Sequence, residues 1–219
     1  MRGRSPIRPP RRARSLPWKE GTYVSLDFEA TGLDFDRDRI ISFGAVPIRA
    51  GRIEVGGARY QLVDPEDRAP SHGSVRIHGI RPVDLRGAPS IVSATTSLVE
   101  ALDRRFMVAW HAGVEAAFLS KLFPRSPDGW LRITIDARDL LIAAEGKGAA
   151  GLTLTEAATH LGIPVSNPHH ALDDALVTAQ LFLVLATRLA QRDGPRSVGD
   201  LLRSRVEPPP VLRRPRAPA

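Results

Sequence analysis

Two carboxylates, Asp27 and Glu29, stand beside an apolar run in "TYVSLDFEATGL", residues 22–33. On a β-strand, residues two apart project from the same face, so these acids point together while Leu26 and Phe28 point to the other side. Neighbouring acids in a dry setting are costly unless they are paired or bind a cation, and a divalent ion is the usual remedy. The alternative is an edge strand with a solvated acidic face, against which the continuous apolar flank argues. A third acid, Glu115, follows the apolar "FMVAW" at the start of a helical segment, where the helix dipole alone also favours an acid. In "NPHHALDDA" (167–175), His169, His170, Asp173 and Asp174 open a long helical pattern, and two acids suit a helix start as well as a ligand set.

The surrounding pattern supplies elements to carry these groups. Strands are expected at 22–28, 39–48 and 52–63, with short Gly- and Asp-bearing links that suit an antiparallel meander. A helix follows at 91–105 behind Ser90 as N-cap. A strand at 106–110 leads into a helix at 113–123, and one at 132–135 into a helix at 136–145. Strands that pass at once into helices indicate an α/β domain, a mixed sheet with helices packed on it. Helical patterns at 153–162, 170–191 and 197–205 complete the body. The expected organisation is a mobile basic arm at 1–19, one domain at 20–206 and a Pro/Arg tail at 207–219.

With no cysteine, the chain has no disulfide, cysteine-ligated zinc or thiol nucleophile. Its formal charge of +7 is concentrated at the ends. Residues 1–19 carry seven positive charges and no acid, and residues 201–219 carry five Arg against Glu207, so residues 20–200 carry a net −4. Arg outnumbers Lys 28 to 3 in a chain rich in Ala, Gly and Pro, which fits codon bias as well as a design for binding phosphates. No secretory signal is visible, and an organelle transit peptide is the lesser reading of the Arg-rich start. The longest apolar run, within 175–186, is too short to span a bilayer and contains Gln180. A soluble, cytoplasmic protein is expected.

Taken together, the acids resemble the His branch of the DEDD superfamily of 3′-to-5′ exonucleases, and most closely the group that contains the proofreading epsilon subunit of bacterial DNA polymerase III. "DFEATGL" (27–33) and "DRIISFGAV" (38–46) match the first motif, with Ala30 replacing a Thr. "IHGI" (77–80) follows as a family segment, and "WHAGVEAAFL" (110–119) aligns without gaps with the second motif. There Trp110 stands for His, His111 for Asn and Glu115 for the metal-binding Asp. "HHALDDALVTA" (169–179) is nearly the complete third motif, and the His-branch spacing selects His169 with Asp174 rather than His170 with Asp173. The resemblance covers about residues 20–190 and implies a ribonuclease H-like fold, an antiparallel meander joined to parallel strands with helices on both faces.

It also implies a mechanism. Asp27, Glu29, Glu115 and Asp174 would hold two Mg²⁺ or Mn²⁺, hard cations suited to oxygen ligands. His169 would take a proton from the attacking water, a role suited to a side-chain type with an ordinary pKa of ~6.5. Thr31, Gly32 and Leu33, with His78 on the wall, would seat the 3′-terminal nucleotide. The extra methylene of Glu115 moves its carboxylate by roughly 1.5 Å relative to Asp, so the backbone or the metal preference must adjust. The implied partner is nucleic acid with a free 3′ end, DNA favoured, and a polymerase subunit is a second. An exoribonuclease of the same superfamily and a non-catalytic nucleic-acid or polymerase-binding module are the alternatives. Oligomeric state is not legible.

Overall fold

A computed structural model describes residues 7, 8, 10 and 13–205. The other residues of the expected arm, and the expected tail at 207–219, lie outside the described residues. Six strands form one sheet: β1 (Thr22–Ala30), β2 (Ile40–Arg49), β3 (Arg52–Ile53), β4 (Arg59–Leu62), β5 (Phe106–Ala109) and β6 (Thr134–Asp136), in the order β3-β2-β1-β5-β6 with β4 also on β2. β1, β2, β3 and β4 pair antiparallel, whereas β5 and β6 continue the sheet in parallel. The expected mixed sheet is therefore present. The third expected strand, 52–63, is split by a 3-10 turn at Val55–Gly57, where consecutive glycines weaken the extended form.

The helices are α1 (His72–His78), α2 (Ile91–Leu102), α3 (Ala112–Leu122), α4 (Pro127–Leu131), α5 (Ala137–Glu145), α6 (Leu154–His160), α7 (Ala171–Asp193) and α8 (Val198–Arg203). α1 and α4 are too short to give a readable apolar period, and their signal is local: Ser71 and Ser126 each cap a first turn. The alternation along β1 divides the layers. On one face Tyr23 meets Phe182 of α7 with ring centroids 4.8 Å apart, and on the other Phe28 meets Phe118 of α3 at 6.3 Å. Helices thus cover both faces, and the face that carries Asp27 and Glu29 lies under α7.

The described part of residues 1–19 is packed on the body rather than free of it. Ile7 and Trp18 are buried, Trp18 meets Phe182 edge to face, and the Arg8 guanidinium grips Asp103 through both carboxylate oxygens. Buried apolar side chains and hydrogen bonds from Arg8, Arg14 and Trp18 hold this described part to the body.

Candidate metal centre

Asp27 and Glu29 emerge on β1 where it pairs with β2, opposite Gly44 and Ser42. Asp174 comes from the first turn of α7. One carboxylate oxygen from each of the three lies within 4.8 Å of the other two. Three acids at that separation, none of them in an ion pair with a Lys or Arg among the described residues, are mutually destabilising unless protonated or bound to a cation. Burial, joined by repulsion from Glu115, Glu29 and Asp174, holds the Asp27 carboxyl well above the usual carboxylate range. Burial and Asp174 push Glu29 up to about 8. Asp174 is raised mainly by burial, opposed by the backbone N–H of His169, which donates to its Oδ2 at 3.1 Å.

Glu115, in the first turn of α3, falls outside that group of three but lies near enough for it and Asp27 or Glu29 to repel each other. It is 3% exposed, its Oε2 has no hydrogen-bond donor, and burial pushes it up to about 8, with Asp136 and Glu29 adding to the shift. A buried, orphaned carboxylate oxygen beside three more acids fits a divalent cation bound by hard oxygen ligands.

The backbone around Thr31 is fixed by an acid with the opposite character. Asp38 accepts from the Thr31 hydroxyl at 2.8 Å, from the Asp34 N–H at 2.8 Å and from the Arg68 guanidinium at 3.2 Å. These donors outweigh burial and hold its carboxyl below the usual range. Thr31 also accepts from the Arg39 N–H at 3.0 Å, so its hydroxyl is turned inward. A Cβ on Gly32 would lie 2.4 Å from Asp38 Oδ2, which reserves the position for glycine. Leu33, by contrast, stands out into solvent, 70% exposed.

His169 is exposed and adopts a left-handed backbone with φ of 62°. His78 lies at the end of α1, near enough to feel His169; burial chiefly, and then His169, hold its imidazole below the ordinary range. The structure therefore brings Asp27, Glu29 and Asp174 together, sets Glu115 behind them, and places His78 beside His169. Trp110, at the second motif's departure, is buried in the core, and the exposed His111 precedes α3 without capping it.

Sequence reasoning assigned no role to Asp38 or Asp136. Asp136 ends β6, and its carboxylate binds three backbone N–H groups, those of Ala112, Arg138 and Asp139, so it ties the start of α3 to the start of α5. The available signal was an acid between a short strand and a helix, the ordinary mark of an N-cap.

A mixed sheet with carboxylates on its first strand and at the start of its last long helix is the ribonuclease H-like fold with an acidic site at one end. The particular family is the one described as Exonuclease (RNase_T), whose model matches residues 24–182; the chain belongs to it. A DNA polymerase III PolC-type protein of Thermotoga petrophila is 34% identical over 168 residues, which are 76% of this chain and 12% of that protein. DNA polymerase III subunit epsilon of Aquifex aeolicus is 26% identical over 170 residues, 78% of this chain and 83% of the relative. The nuclease domain of 3′hExo, a DEDDh family member crystallised with rAMP, superposes with a TM-score of 0.65 at 18% identity, covering 81% of this chain and 96% of that one. The chain thus spans only a small fraction of the PolC-type relatives. Among the described residues no helix is long and apolar enough to cross a membrane.

Proposed function

We propose that this chain removes nucleotides from the 3′ end of single-stranded DNA, releasing 5′-mononucleotides, with Asp27, Glu29, Glu115 and Asp174 holding two Mg²⁺ or Mn²⁺. The observation that carries this reading is the group of Asp27, Glu29 and Asp174, with one carboxylate oxygen of each within 4.8 Å of the others. When bound, such ions supply a water that deprotonates near neutral pH and a sink for the charge on the departing 3′ oxygen.

The chain's own residues do the rest. His169 takes the proton from the attacking water, reaching it from an exposed position while its backbone N–H orients Asp174. Asp38 fixes the Thr31–Leu33 loop from within, which leaves the Gly32 backbone and the Leu33 side chain to meet the terminal nucleotide. His78 closes the wall on the His169 side. DNA is favoured over RNA by the names of the polymerase III relatives, which also support a replicative polymerase as partner and a cytoplasmic setting.

The test is release of mononucleotides from matched 3′-labelled DNA and RNA oligonucleotides, with and without chelator. Metal-dependent release from DNA is expected. Faster release from RNA identifies an exoribonuclease instead, and no release from either in Mg²⁺ or Mn²⁺ identifies a binding module.

A further inference from the structure

The row of residues that crosses the sheet at Asp27 continues through Gly44 on β2 to Tyr60 on β4. Cross-strand partners project from one face, so the Tyr60 ring and the Asp27 carboxylate share the face that α7 covers. At Gly44 a Cβ would lie 2.2 Å from the Ala171 carbonyl oxygen and 2.4 Å from the Leu172 Cα. The first turn of α7 therefore rests on bare strand backbone.

Beside that contact the Tyr60 ring stacks on His170, with centroids 4.4 Å apart and planes at 29°. His170 occupies the N-cap position of α7 yet makes no side-chain cap; its Nδ1 lies 2.8 Å from Asp173 Oδ2 instead. In the next row of the sheet Ser42 and Glu29 are register partners, and both lie near enough to act on the Tyr60 phenol, whose pKa burial chiefly raises, Ser42 lowers by hydrogen bonding and Glu29 raises further. Tyr60 thus touches the α7 side of the acidic group with its ring and approaches the β1 side with its hydroxyl.

We infer that Tyr60 is a positioning residue for this site: stacked on His170 across Gly44, it fixes the seat of the first turn of α7, and with it Asp174 and the backbone of His169. A left-handed histidine persists only where its surroundings hold it, and the residue that follows it is the one Tyr60 grips. The inference rests on the function proposed above, since it concerns the same ligand and the same proton acceptor.

The test uses the full chain carrying Tyr60→Ala or Tyr60→Phe. Tyr60 lies on an edge strand and is 36% exposed, so both variants can fold. Two quantities are read: amide hydrogen exchange at residues 174–176 without metal, and kcat and KM on single-stranded DNA in Mn²⁺. Tyr60→Ala is expected to speed exchange and to lower kcat, each about tenfold, with little change in KM, while Tyr60→Phe, which keeps the stack, restores most of both. Exchange at the wild-type rate in Tyr60→Ala, or faster exchange with unchanged kcat, overturns the inference. A wild-type chain that cleaves neither DNA nor RNA overturns the proposed function instead; exchange then decides the seat alone, faster exchange in Tyr60→Ala supporting it and equal exchange overturning it.

Discussion

Asp38 and Glu29 are both buried carboxylates, one on each side of the Thr31–Leu33 loop, and their surroundings push them in opposite directions. Asp38 has a hydroxyl, a backbone N–H and a guanidinium around it, and it stays ionised below the usual range. Glu29 has Asp27 and Asp174 around it, and it is pushed up to about 8. Burial alone does not separate the two. The neighbours do: a guanidinium and a hydroxyl beside Asp38 favour its charged form, whereas acids beside Glu29 favour a bound proton or cation. The loop between them inherits both properties, a rigid inner side at Thr31 and an exposed outer side at Leu33.

This contrast is open to direct attack. Asp27→Asn removes a proposed ligand but also a repulsion; it is expected to lower the hydrolysis rate by at least about a hundredfold while leaving the metal-free melting temperature unchanged or higher. A steady-state assay paired with calorimetry checks both halves. Asp38→Asn should show the reverse, losing charge-assisted hydrogen bonds at a cost of about 2–4 kcal/mol in folding stability, measured by denaturant unfolding. If Asp38→Asn proves harmless to stability, the distinction between scaffold and ligand acids fails.

Glu115 lies between the two cases, since it is buried and undonated at Oε2 yet set behind the closest three acids. Glu115→Gln is expected to slow hydrolysis in Mn²⁺ about tenfold; a wild-type rate would remove Glu115 from the metal site. A further effect is on pH dependence. Glu29 and Glu115 bind protons more tightly in the folded state, at about 8, than at their ordinary 4.5, so their contribution to metal-free stability is full at low pH and is lost as pH rises through about 8. Asp38, held below its ordinary value, contributes in the opposite sense and loses its contribution as pH falls through its folded value. The metal-free melting temperature is therefore expected to decline between about pH 5 and about pH 9, and Glu29→Gln or added Mn²⁺ to flatten that decline.

How much of this was legible in the sequence depends on whether a residue acts through its neighbours in the chain or across the fold. Asp27 and Glu29 share a face because a strand has a period of two, and their apolar flank announced the burial. The start of α7 was legible from its acids and its long apolar pattern, within one residue. What stayed hidden was non-local. Asp38 matters through Thr31 and Arg68, and Gly44 through Ala171; neither contact has a periodic signature. Tyr60 read as one residue of a third strand, and only the register places it in line with Asp27. Within the expected arm, the burial of Ile7 and Trp18 was equally hidden, because composition averages over single side chains.

The central claim is that the clustered acids form a divalent-cation site, and the most direct measurement is the number of Mn²⁺ ions bound per chain, followed by electron paramagnetic resonance. Two saturable ions are expected for the wild-type chain, and none for Asp27→Asn combined with Asp174→Asn. The absence of saturable binding in the wild type, or equal binding in the double variant, would contradict it.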